Sequence, residues 1–156
     1  MAVALATPAA ADDFCGALKA ALADATHGFA AIRGQADPQY PASYWRPSVL
    51  PGAGALMAGG SPCFVLHGAK TTPSDQYRCY FPGRATRDAL LEDMHGIADR
   101  ISDCLGPMAF DPKQGLWLLA KDGASVAVGG VVPPPDSGGG TVVIMIAPAP
   151  PHGRTP

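Results

Sequence analysis

Four cysteines, Cys15, Cys63, Cys79 and Cys104, constrain this chain more than any other feature. None stands in a C-x-x-C or C-x-x-H spacing, so nothing prepares a zinc site. An even count in an exported chain reads as two disulfides, with three possible connectivities. The segments that carry the cysteines choose among them.

Residues 63–67 (Cys-Phe-Val-Leu-His) and 76–81 (Gln-Tyr-Arg-Cys-Tyr-Phe) are both rich in aromatic and β-branched residues and are joined by a polar link. They read as a β-hairpin. Setting Cys63 opposite Cys79 places Val65 against Tyr77 and His67 against Asp75, in phase throughout. Cross-strand neighbours lie about 4.5–5.5 Å apart, within the range a disulfide spans.

The other two cysteines belong to helical stripes. Residues 13–33 carry Cys15, Leu18, Leu22, Ala25, Phe29 and Ile32 on one helical face, opened by Asp12 and Asp13 where the dipole favours negative charge. Residues 86–105 carry Leu90, Met94, Ile97, Ile101 and Cys104, with Thr86 as N-cap and Gly106-Pro107 as stop. One cysteine starts its helix and the other ends its own. Antiparallel packing therefore brings Cys15 to Cys104, whereas parallel packing separates them. The expected bridges are Cys15–Cys104 and Cys63–Cys79. In the chain-entropy model such loops constrain the unfolded state by about 4–5 and about 3 kcal/mol respectively.

Residues 34–62 are too proline-rich for a helix, and 44–50 can form an edge strand, where proline is tolerated. Residues 115–121 and 124–128 flank Asp122-Gly123, a strong hairpin signal. Pairing Lys121 with Ala124 puts Leu119 against Val126 and Trp117 against Val128. Residues 141–146 are almost wholly apolar and read as a central or well-covered strand. The order is α-β-β-α-β-β-β, a helix-then-hairpin pattern occurring twice. The expected fold is α+β: two antiparallel helices packed on one antiparallel sheet of about five or six strands, in two layers.

Residues 1–11 are small and apolar and end in a small-x-small pattern at Ala9 and Ala11, which reads as the remnant of a secretory signal peptide. Residues 12–147 then form a single domain, and 148–156 a proline-rich tail expected to be disordered. The localisation implied is periplasmic or secreted. No stretch approaches the ~18 apolar residues of a membrane span. The net charge of -2, with no run of Lys or Arg, gives no reason to expect nucleic acid as a partner.

Chemistry is sparse. His67, set opposite Asp75, is the histidine with a catalytic precedent, because a carboxylate that orients an imidazole is half of a triad. No Gly-x-Ser-x-Gly elbow supplies a nucleophile, and Ser43 and Ser61 are the hydroxyls left to consider. The carboxylate pairs Asp88/Glu92 and Asp99/Asp103 alternate with Arg87 and Arg100, as on a solvated helix face. The glycine-rich pieces match no phosphate loop, no cofactor is implied, and no metal motif occurs. Tyr40, Tyr44, Trp45 and Arg46 are of the types enriched at interface hot spots and lie in an irregular segment.

The leading expectation is an exported, disulfide-stabilised, non-catalytic binding module. Its partner would be a protein or cell-envelope component, in the manner of an inhibitor, immunity or accessory protein. Two alternatives stand beside it. One is a small hydrolase using His67 and Asp75 with a distant serine. The other is a small-ligand carrier whose apolar pocket, between sheet and helices, is lined by Phe64, Leu66, Tyr80 and Met145.

Overall fold

The computed structural model describes residues 9–36, 38–39, 44–47, 63–68, 74–81, 86–131 and 140–149. The first helix, α1 (Ala9–Ala25), starts ahead of Asp12-Asp13 and takes in the end of the expected leader. It also stops at Ala25, short of residue 33. Two consecutive left-handed residues end it, Gly28 at φ 64° and Phe29 at φ 57°. The Phe29 amide donates to the Asp24 carbonyl at 2.9 Å. The Asp24 carboxylate then accepts from the amides of Ala31 and Ile32 at 2.9 and 3.1 Å. This turn folds back on the core, so Phe29 and Ile32 are buried without being helical.

The second helix, α2 (Arg87–Leu105), matches its expected ends. The Thr86 hydroxyl accepts from Ala89 N at 3.2 Å, and Gly106 N–H returns to Ser102 O at 2.9 Å. Its buried row is Leu90, Met94, Ala98, Ile101 and Leu105; Ile97 and Cys104 sit beside it, partly buried. That row tracks 3.6 residues per turn as well as the expected one does. Contact with the sheet, absent from the sequence pattern, decides between them.

Cys15 and Cys104 are bridged, with Cα atoms 5.3 Å apart. The start of α1 thus meets the end of α2, and the helices run antiparallel. At the same crossing the Arg100 guanidinium carbon lies 4.2 Å from the Phe14 ring centroid, a cation–π contact.

The strands are β1 (Arg33–Ala36), β2 (Tyr44–Pro47), β3 (Cys63–Leu66), β4 (Gln76–Tyr80), β5 (Ala109–Asp111), β6 (Leu116–Lys121), β7 (Ala124–Val131) and β8 (Thr141–Pro148). They form one antiparallel sheet in the order β1-β2-β3-β4-β8-β7-β6-β5. Each strand read from the sequence has a counterpart, but the one expected at an edge, 44–50, is β2, which lies between β1 and β3, with 48–50 outside the described residues. Strands β1 and β5 each add a short strand at one edge, making eight. Each helix is followed by a four-strand meander, and the two meanders join along β4 and β8.

The hairpin registers are those set by the cysteines and by Asp-Gly. Cys63 pairs with Cys79 and Val65 with Tyr77; Lys121 pairs with Ala124 and Trp117 with Val128. The Cys63–Cys79 bridge spans Cα atoms 4.1 Å apart. Asp122 (φ 52°) and Gly123 (φ 79°) both take the left-handed conformation that a two-residue hairpin of matching twist requires. Strand β8 runs two residues past its expected end to Pro148, and Ala149 N donates to Gly123 O at 2.8 Å. The rest of the expected tail, 150–156, lies outside the described residues, as do residues 1–8.

The helices cover one face of the sheet. Cys63, Val65, Tyr77, Cys79, Val126, Val128, Ile144 and Ile146 point to them and are buried in a single core. Removing the inter-helix bridge as C15S/C104S is expected to lower unfolding free energy by as much as about 4–5 kcal/mol, read from urea titrations. An unchanged midpoint would contradict this.

Tyr77 is 2% exposed, and its burial pushes the phenol up to about 12. Unfolded tyrosine titrates near 10. This contribution is therefore constant below about pH 10 and is lost between about 10 and 12, where only the unfolded state gives up the proton. From about pH 9 to about pH 11 the wild type should lose about 1 kcal/mol more than Tyr77→Phe. Parallel losses in urea titrations would refute it.

Candidate binding face

A strand's side chains alternate between faces. With Cys63, Val65, Tyr77 and Cys79 turned to the helices, Phe64, Leu66, Arg78 and Tyr80 stand on the other face. The pairing of β4 with β8 carries the alternation on: Met145 lies opposite Arg78, and Val143 opposite Tyr80. Through β7 it reaches Leu118, opposite Ala127. Phe64, Leu66, Tyr80, Leu116, Leu118 and Met145 are all half-buried, and no described helix covers them.

This corrects the expected pocket between sheet and helices. Phe64, Leu66, Tyr80 and Met145 were the expected lining, and all four lie on the far side of the sheet from the helices. The layer between is filled by the buried core. The reason is period two: if bridged cysteines point inward, their sequence neighbours cannot.

A cavity of about 110 Å³ opens on this far face, lined among others by Arg78, Tyr80, Leu116, Gly129, Val143 and Met145. A β-carbon on Gly129 would collide with Leu116 Cδ2. The missing side chain thus gives Leu116 room to lean over β7 at the rim. Arg78 stands between Phe64 on β3 and Met145 on β8, and is itself half-buried. Its Nε and Nη2 donate to Gln76 Oε1 at 2.9 and 2.6 Å. A neutral amide therefore fixes the guanidinium, and no described carboxylate pairs with it.

His67 and Asp75 meet as expected. His67 Nδ1 lies 2.9 Å from Asp75 Oδ1, just beyond the last ladder pair, Leu66 with Gln76. The same carboxylate oxygen accepts from Gly68 N at 2.8 Å. The imidazole is 51% exposed and the carboxylate 16%. Ser43 and Ser61, which would complete a hydrolase, lie outside the described residues. What the geometry displays is a carboxylate tying the hairpin's loop to its end.

Tyr40 is outside the described residues, whereas Tyr44, Trp45 and Arg46 fall in β2. The register sets Tyr44 against Leu66 and Trp45 against Val65, so this stretch belongs to the sheet beside the hairpin. Among the described residues no three His, Cys, Asp or Glu side chains stand together to hold a metal ion. His27 keeps to α1's end, its Nδ1 3.2 Å from Ala23 O. Trp117 is partly buried rather than core: it stacks on His95 at 5.3 Å and meets Phe110, 48% exposed, at the same distance.

No described helix is long and apolar enough to cross a membrane. The two bridges suit an oxidising compartment. No family model, curated protein or solved structure matches the chain.

Replacing Asp75 removes the acceptor for a backbone amide as well as for His67. Asp75→Ala is expected to lower stability by about 1–3 kcal/mol, and His67→Ala by less than about 1. Chemical denaturation of both variants checks this. Equal losses would mean that the exposed imidazole contact, and not the Gly68 bond, holds the loop.

Proposed function

We propose that this chain is an exported binding module, stabilised by two disulfides and non-catalytic, which takes a protein or cell-envelope component on the open face of its sheet. The observation that carries the reading is the half-buried apolar face that two helices leave uncovered. Contiguous apolar surface of that kind marks an interaction site. Tyr40, Tyr44, Trp45 and Arg46, of the residue types enriched at interfaces, are proposed to contribute to recognition from the segment that includes β2, the neighbour of β3. Export to the periplasm or medium is supported by the bridges and by the alanine-rich start, with processing after Ala11. Asp75's bond to Gly68 supports a structural role for the His67 pair.

The test compares immobilised wild type with Leu118→Glu and Trp45→Ala, each verified as folded, in periplasmic extract or culture medium. The wild type is expected to retain a component that Leu118→Glu loses and Trp45→Ala holds more weakly. A component retained equally by Leu118→Glu would place recognition off the open face and overturn the reading.

A further inference from the structure

We propose that the cavity on the open face is a site for a free medium-chain aliphatic carboxylic acid, with Arg78 as its carboxylate anchor; this rests on the open-face reading above. The chemistry follows from three features of one place.

Arg78 carries a full charge on a largely apolar face that it shares with Phe64, Leu66, Leu116, Leu118 and Met145, with Tyr80 and the neutral Gln76 among its polar neighbours. A charge taken part-way out of water is costly unless an opposite charge meets it. The contact with Gln76 supplies no charge, and it occupies two of the five guanidinium N–H donors. It does fix the side chain's direction, which prepares the remaining fork for a carboxylate.

The cavity's volume bounds the rest of the ligand. About 110 Å³ holds roughly four water-sized groups. That accommodates a carboxylate and the first methylenes of a chain. Because the cavity opens onto the sheet, a longer tail continues over the apolar face. A charged end and a plain hydrocarbon chain therefore match both parts of the surface.

The probes are octanoate and 1-octanol, titrated calorimetrically into the oxidised full chain. Octanoate is expected to bind about tenfold or more tightly than octanol, the increment of a charge-assisted contact. Arg78→Gln should abolish that preference by weakening octanoate far more than octanol. Met145→Trp, which fills the cavity, should weaken both. Equal binding of the two probes, insensitive to Arg78→Gln, would overturn the carboxylate anchor and leave the open face as a binding surface. Octanoate binding unaffected by Met145→Trp would put the acid elsewhere and overturn the site. Failure of both probes to bind would overturn the ligand class, while the open-face reading is decided separately by the Leu118→Glu comparison.

Discussion

Parity is the constraint on which the molecule depends. Cys63 and Cys79 are directly paired and both buried on the helix side. A covalent bond between opposed residues forbids a one-residue slip, and such a slip would exchange the faces of every side chain in the strand. The setting propagates by hydrogen bonding. From β4 it passes to β8, where Ile144 and Ile146 turn inward and Val143 and Met145 outward, and from β8 to β7, where Val126 and Val128 follow. The core under the helices and the open face are two consequences of one choice of phase.

The sequence made the hairpin phases legible because local chemistry fixed them. Asp122-Gly123 permits only a narrow set of turns, and the cysteines supplied an anchor at the other hairpin. The helices were harder to bound. Phe29 and Ile32 continue the spacing of α1's stripe and are buried, yet they lie in a turn. Periodicity reports which residues face the core, and a compact turn can keep them there. Gly28 was the contrary signal within the stripe, because a glycine just past a helix often adopts the left-handed conformation that ends it. In α2 the ambiguity was rotational. Ala98 and Leu105 are as apolar as their neighbours Ile97 and Cys104, and the sheet selects among them.

The open face was legible in principle and was misplaced for a physical reason. The segments that became β6 and β8 are apolar on both parities, a pattern that usually signals cover on both sides. Two helices of 17 and 19 residues can cover one side of this sheet. Counting helices against two-sided strands leaves one apolar face that no described helix covers. The register already assigned Phe64 and Leu66 to it once Cys63 was taken as inward. Gly129 and Gly130 concealed the length of β7, since glycine is depleted in strands, and β5 was too short to leave a periodic signal.

An apolar face that no described helix covers poses a folding problem as well as a binding opportunity. The chain could bury that face by moving a helix across the sheet, and hydrophobicity alone discriminates weakly between two apolar sides. The bridges act against that alternative. Cys15–Cys104 joins the helices into one body, so neither moves without the other. Asp24 holds the return from α1 through the amides of Ala31 and Ile32, limiting the reach of the chain before β1. Lys121 adds a tie from sheet to helix, its Nζ donating to the Leu105 carbonyl at 2.9 Å. Arg78 works from the opposite side. A guanidinium at the centre of the open face is compatible with water or an anionic ligand and penalises burial under an apolar helix. The same residue that recognises a carboxylate in the proposed site would thereby keep the face open for it.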